Sequence, residues 1–208
     1  MSVMKLVIGD YKKSSWSLRA WLVLVTADVP FEVIQIKLGE PQTGERILAY
    51  SASGKVPVLL QDDLSINDSL AICEYVAEHW PQAQLWPADA GLKALARSAC
   101  AEMHAGFTQL RTQLPFGVNR GEPAQVLSPA TEAEIQRVFA IWRQLLARSQ
   151  SEAFLCGTFG VVDAMFAPVL LRLMRYGIAI PGDLKPYADA VLLHPPVLLW
   201  LKLAMQEI

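Results

Sequence analysis

Proline punctuation divides this chain into two stretches of different periodicity, and that division limits its fold more than any other feature. Before Pro81, short apolar runs with strand character alternate with runs of helical spacing; after Gly91 every periodic segment is helical. The run between them, PQAQLWPADAG, carries two prolines and a glycine and reads as a connector. In the first stretch, VMKLVIG (Val3–Gly9) predicts a buried strand stopped by Gly9 and Asp10. SLRAWLVLVTAD then sets Leu18, Trp21, Leu22 and Val25 on one helical face. PFEVIQIKL alternates Phe31, Val33 and Ile36 with polar residues, although Ile34 breaks the pattern. A short helix is expected within Pro41–Tyr50. KVPVLLQDDLSIND predicts a hairpin, with strands at Val56–Gln61 and Leu64–Ile66 about an Asp62-Asp63 turn, and a helix follows over Ser69–Trp80.

Beyond the connector, helices are expected over Leu92–Leu114, Ala130–Arg148, Val161–Gly177, Leu184–Ala190 and Pro196–Met205, with breakers such as GEPAQVLSP between them. The fold class is therefore α/β plus all-α. Residues 1–80 form a small α/β domain, 81–91 a linker and 92–208 an all-helical domain.

Charge and residue spacing remove several functions. A formal net charge of −2 leaves no basic surplus for a nucleic-acid backbone. The longest apolar runs fall short of the roughly 18 residues that span a bilayer, so no membrane partner is expected. The N-terminus has its basic pair after its apolar segment, the reverse of a signal peptide, and a soluble cytoplasmic protein is expected. Cys73, Cys100 and Cys156 are dispersed, as reduced thiols are. His79, His104 and His194 have no metal-ligand spacing, so no metal is expected.

Three junctions carry possible chemistry, and each has a plain structural alternative. Pro57 lies where the third strand starts. It is either an ordinary strand-start proline or a cis-proline that turns the Val56 backbone toward an extended, peptide-like ligand. Asp68 and Ser69 stand where a strand hands over to a helix. They either cap that helix or use its free amides and positive end to seat a carboxylate. KKSSWSLRAW, Lys12 to Trp21, brings Ser14, Ser15 and Ser17 to the start of the first helix. These serines are either caps or hydroxyl donors to a thiolate whose pKa the helix end lowers.

In order along the chain, SSWSLRAWL (Ser14–Leu22), GKVPVLL (Gly54–Leu60), INDSLAICEYV (Ile66–Val76) and FLCGTFGVVDAMFAPVL (Phe154–Leu170) resemble the cytosolic glutathione transferase family. The resemblance implies a thioredoxin-like N-terminal domain, an α-helical C-terminal domain, glutathione as co-substrate, a small electrophile as second substrate and a homodimer. Ser14 matches the thiol-activating hydroxyl of serine-type, theta- and zeta-like members, with Ser15 its close rival and Ser17 structural. Val56 and Pro57 match the backbone seat of the cysteinyl part, flanked by Lys55. Asp68 and Ser69 match the pair at the γ-glutamyl end, and Lys37 is a candidate for the glycyl carboxylate. The electrophile would meet some of Tyr11, Trp16, His104, Phe107, Arg111 and Phe116.

The chain also departs from the family. No cysteine occupies the Ser14–Ser17 loop, which disfavours a mixed-disulfide reductase. Trp16 stands where zeta-like isomerases carry cysteine, which disfavours maleylacetoacetate isomerisation. Gly160 replaces the usual Ser/Thr of a capping box completed by Asp163, a folding residue. The rival to a transferase is a protein of the same fold that binds a ligand or partner without turnover.

Overall fold

The computed structural model describes residues 3–119, 126–150 and 153–207. Part of the expected breaker run GEPAQVLSP, residues 121–125, lies outside them. Strands β1 (Met4–Ile8), β2 (Phe31–Gln35), β3 (Val58–Gln61) and β4 (Leu64–Asn67) form one sheet in the order β2-β1-β3-β4. β1 runs parallel to β2, with Met4 opposite Phe31, because α1 (Ser15–Thr26) makes the crossover between them. β3 lies antiparallel to β1 and to β4, the latter pairing being the expected hairpin.

Alternation in β1 decides which helices cover which face. Leu6 and Ile8 point to a core shared with α1 and α3 (Ser69–His79). Val7 points the other way, into a small cluster with Ile36, Val58 and Ile47 of α2 (Thr43–Leu48). The outer strand β2 corrects one expectation. Val33 is 39% exposed, and Ile34 packs on the α2 side with Ile36. Ile34, opposite Val7, is in phase with Ile36, whereas Phe31 and Val33 occupy the other face, so the expected set of Phe31, Val33 and Ile36 spans two faces.

The helical layer contains α4 (Ala90–Ala105), α5 (Thr108–Gln113), α6 (Pro129–Ser149), α7 (Val161–Arg175), α8 (Lys185–Leu193) and α9 (Pro195–Gln206). α7 is its axis: every residue from Val161 to Leu173 is buried, and it packs against both α1 and α4. No single helix among the described residues is long and apolar enough to cross a membrane.

The long helix expected over Leu92–Leu114 is two helices. Phe107 takes a left-handed conformation, φ 56°, and the α4 ladder ends with Gly106 N–H on Glu102 O at 2.8 Å. Glu134, from α6, then caps α5 by accepting from the amides of Leu110 at 2.7 Å and Gln109 at 3.3 Å. The apolar spacing continues through the break, so periodicity alone does not show it.

Gly160 is explained by the connector. The Leu85 carbonyl accepts the Val161 N–H at 3.0 Å, supplying from the backbone a partner that a cap side chain would otherwise provide nearby. A Cβ on Gly160 would lie 2.4 Å from that same oxygen. Asp163 completes the helix start, its two oxygens each accepting at 3.0 Å from the Leu155 and Gly160 amides. A serine at position 160 restores the family's box on paper but collides with backbone. Gly160→Ser is therefore expected to destabilise the protein, by about 1–3 kcal/mol as overpacking does. Thermal denaturation checks this; an unchanged or raised midpoint would refute the account.

Candidate functional site

The loop after β1 is held from behind by the far end of the chain. Glu207 accepts from two successive amides, Tyr11 at 2.8 Å and Lys12 at 3.0 Å, and Gln35 Nε2 also donates to it. Trp200 of α9 donates from Nε1 to the Tyr11 carbonyl at 3.0 Å and meets the Tyr11 ring edge-on. Burial and the Glu207 charge push the Tyr11 hydroxyl pKa above its ordinary value. Gly9 is needed at the start of this loop, since a Cβ there would lie 2.6 Å from Leu38 and 3.1 Å from Ser14 Cβ.

This loop delivers Ser14 as the N-cap of α1. Its hydroxyl accepts from Ser17 N–H at 3.2 Å and donates to Ser17 Oγ at 2.7 Å. Ser17 Oγ in turn accepts from Gly9 N–H, so Ser17 is structural, as the sequence implies. Ser15 is arranged differently: its oxygen accepts from Arg172 Nη2 of α7 at 3.4 Å. The hydroxyl proton of Ser15 has no acceptor among the described residues, whereas that of Ser14 goes to Ser17 Oγ.

The α1 start opens into a cleft of about 840 Å³ whose walls come from four directions. Ser14, Ser15 and Trp16 form one wall. Lys55, Val56 and Pro57 form the second, with the Val56–Pro57 bond cis. Asp68 and Ser69, at the start of α3, form the third. The helical layer contributes His104, Arg111 and Arg172. Lys37 is not brought to this lining: it is exposed, and its carbonyl accepts from Thr43 Oγ1 at 2.7 Å. Tyr11, Phe107 and Phe116 also stand outside the lining, Phe107 buried in the core and Tyr11 against Trp200.

The third wall is doubly constrained. Asp68 is held at φ 84° and ψ 127°, a conformation that residues other than glycine rarely adopt. Its Oδ1 accepts from the Leu70 and Ala71 amides, so it caps α3, while Oδ2 lies 3.0 Å from His104 Nε2 across the cleft. Ser69 is 1% exposed, and its hydroxyl has no hydrogen-bond partner among the described residues. A buried hydroxyl without a partner costs roughly 1–3 kcal/mol unless a ligand supplies one. Of the two neighbours, Asp68 is the one that caps, and the Ser69 hydroxyl is without a partner among the described residues.

Arg172 has no counterpart in the sequence reading. The available signal was an arginine inside the otherwise apolar run VVDAMFAPVLLRLMR, where a charge is costly without a role. Burial raises the pKa of all three cysteine thiols, that of Cys156 to about 12, and none of the three lines the cleft.

Residues 13–79 match the family described as glutathione S-transferase, N-terminal domain. A maleylacetoacetate isomerase of Rattus norvegicus is 26% identical over 190 residues, covering 90% of this chain and 85% of that protein. A zeta-class glutathione S-transferase of Euphorbia esula is 30% identical over 146 residues, 68% of this chain and 64% of that protein. Among solved structures, a glutathione transferase homolog from Burkholderia GL BGR1 with bound glutathione superposes with a TM-score of 0.75 at 23% identity, covering 99% of this chain and 100% of the other.

The division of labour at α1 has a measurable consequence. Ser14→Ala is expected to cost about 1 kcal/mol of stability through the lost cap. That corresponds to a midpoint lower by about 2–4 °C for a chain of this size. Ser15→Ala removes no cap and should leave the midpoint closer to wild type. Equal losses in the two variants would contradict the assignment.

Proposed function

The chain belongs to the cytosolic glutathione transferase family, and on that premise we propose that it binds glutathione in this cleft and conjugates it, through the sulfur, to a small electrophile. The observation that carries the reading is the convergence of two helix starts, α1 and α3, with the Val56–Pro57 backbone on one cleft, where the Ser69 hydroxyl is buried and free. The γ-glutamyl end would lie at the α3 start, its carboxylate on the Ser69 hydroxyl at the positive end of that helix and its ammonium toward Asp68. The cysteinyl backbone would pair with Val56, beside Lys55. That brings the thiol to the start of α1.

Three features favour the thiolate there. The α1 amides carry the positive end of a helix dipole. The Arg172 guanidinium lies one hydrogen bond away, through Ser15. Ser15 has a hydroxyl proton to donate, and on this geometry we give it the sulfur contact, with Ser14 holding the helix end. The thiol proton leaves to solvent, and the sulfur forms a bond to the electrophilic carbon. A leaving group departs with the bonding pair or, in an addition, the neighbouring carbon takes up a proton. Positioning and pKa lowering then account for the rate. We set the domain division in the 81–91 connector, and family membership supports a cytoplasmic homodimer.

A second reading, glutathione-dependent cis–trans isomerisation, is favoured by relatives named maleylacetoacetate isomerase in Rattus norvegicus and Caenorhabditis elegans. In it the sulfur adds to a conjugated double bond and is expelled after rotation. Trp16, standing where isomerases of this resemblance have cysteine, weighs against it. Incubation with a cis-enone separates the two: a sulfur-containing adduct marks transfer, and a sulfur-free trans product marks isomerisation.

Ultraviolet titration of bound glutathione, which reads the thiolate directly, tests the mechanism. A bound thiol pKa well below that of free glutathione is expected. Ser15→Ala should raise it by about one to two units, the worth of one hydrogen bond to a charged group. Ser14→Ala should raise it less. A larger rise in Ser14→Ala returns the sulfur contact to Ser14, and an unshifted thiol in wild type makes the protein a holder of ligand instead of an enzyme. Ser69→Ala should weaken glutathione binding without moving the bound pKa.

A further inference from the structure

Three surface arginines of this protein are locked to carboxylates while, among the described residues, the three around the cleft are not. Arg97, Arg137 and Arg143, all at the surface, each hold a carboxylate with two hydrogen bonds. Arg19, Arg111 and Arg172, buried or half-buried around the cleft, have no carboxylate within 4.0 Å among the described residues. Arg172 is 5% exposed. It donates from Nε to the Leu114 carbonyl at 3.0 Å and from Nη2 to Ser15, while Nη1 has no partner among the described residues. Arg111 donates from Nη1 to the His104 carbonyl at 3.4 Å and lies 5.4 Å from the Trp16 ring centre. Arg19, beneath the cleft, lies 4.2 Å from the same ring.

The acids that stand nearest are committed elsewhere. Asp68 holds His104 and the α3 amides, and Glu134 holds the α5 amides. Burial lowers the pKa of all three guanidiniums. Repulsion by Arg172 and Arg111 adds to it at Arg19, brought to about 9, and repulsion by Arg111 adds to it at Arg172, brought to about 10, while Glu134 partly offsets it at Arg111. Concentrated positive charge with an unsatisfied N–H in a low-dielectric wall is costly, and an anion in the cleft offsets that cost. The planar fork of arginine matches a carboxylate in particular.

We propose that Arg111 and Arg172 form an anion subsite in the part of the cleft beside Trp16, and that it takes a carboxylate borne by the electrophile. The naming of the electrophile rests on the transferase reading above; the subsite itself does not. Glutathione also bears carboxylates, and the experiment separates the two sources.

Binding of 3-nitrobenzoate and of neutral 3-nitrobenzamide to the glutathione-loaded protein is measured by calorimetry, in wild type and in Arg111→Gln. Arg111 is partly exposed, so this variant tests the subsite where Arg172→Gln risks the fold. Turnover of 4-chloro-3-nitrobenzoate and 4-chloro-3-nitrobenzamide is measured in parallel, each divided by its uncatalysed rate. In that reaction the sulfur–carbon bond forms as chloride leaves. Wild type should prefer the benzoate at least about tenfold, the worth of one charge-assisted hydrogen bond. Arg111→Gln should bring the ratio close to one.

Equal binding of the two probes in wild type, failure to bind the benzoate, or a preference that survives in Arg111→Gln overturns the proposal. So does a variant that loses glutathione affinity while keeping the benzoate preference, since the arginines would then serve glutathione. Benzoate preference without turnover of either chloride leaves the subsite standing and removes the transferase reading. Turnover without preference does the opposite.

Discussion

The site depends on the packing of α1 between α3 of the first domain and α7 of the second. Leu18, Leu22 and Leu24 are wholly buried, and Trp21 nearly so, which leaves that helix without freedom to slide or roll. Its N-terminus therefore has one position, and the serines at that end inherit it. The loop leading into it is fixed separately by Glu207 and Trp200, at the end of the helical layer. Both domains thus take part in aiming a pair of hydroxyls that belongs to only one of them.

Polar groups around the cleft are organised by what holds them. Ser14 and Ser17 hold the α1 start and each other, Asp68 divides its oxygens between the α3 amides and His104, and Asp163 binds two amides deeper in the helical layer. Ser69, Ser15 and the inner arginines keep donors in reserve. Native proteins leave few buried donors unused, so a group of them along one cleft points to ligand chemistry in place of structure. The same contrast separates surface arginines locked to carboxylates from cleft arginines without them.

Much of this was legible before any coordinates. Period-two and helical runs, interrupted by proline and glycine, locate the sheet, the crossover helix and the change to an all-helical layer. Junction residues were legible only as alternatives, capping or ligand contact, because a helix start is a local feature of the chain while the cleft it faces is not. Less was legible where one segment answers another far away. The break at Phe107 relies on Glu134, and the glycine at position 160 on the Leu85 carbonyl.

The sequence by itself determined the alternation of elements, the family resemblance, and the serines, proline and acid that stand at helix and strand starts. These follow from backbone preference and side-chain period, which act over a few residues. Only the tertiary structure decided which serine caps and which keeps its proton, that Lys37 stands outside the cleft, and that Arg172 stands inside it. Those outcomes depend on distances between residues as far apart as Ser15 and Arg172, and such distances are set by the packing of α1 on α7, which no local preference encodes.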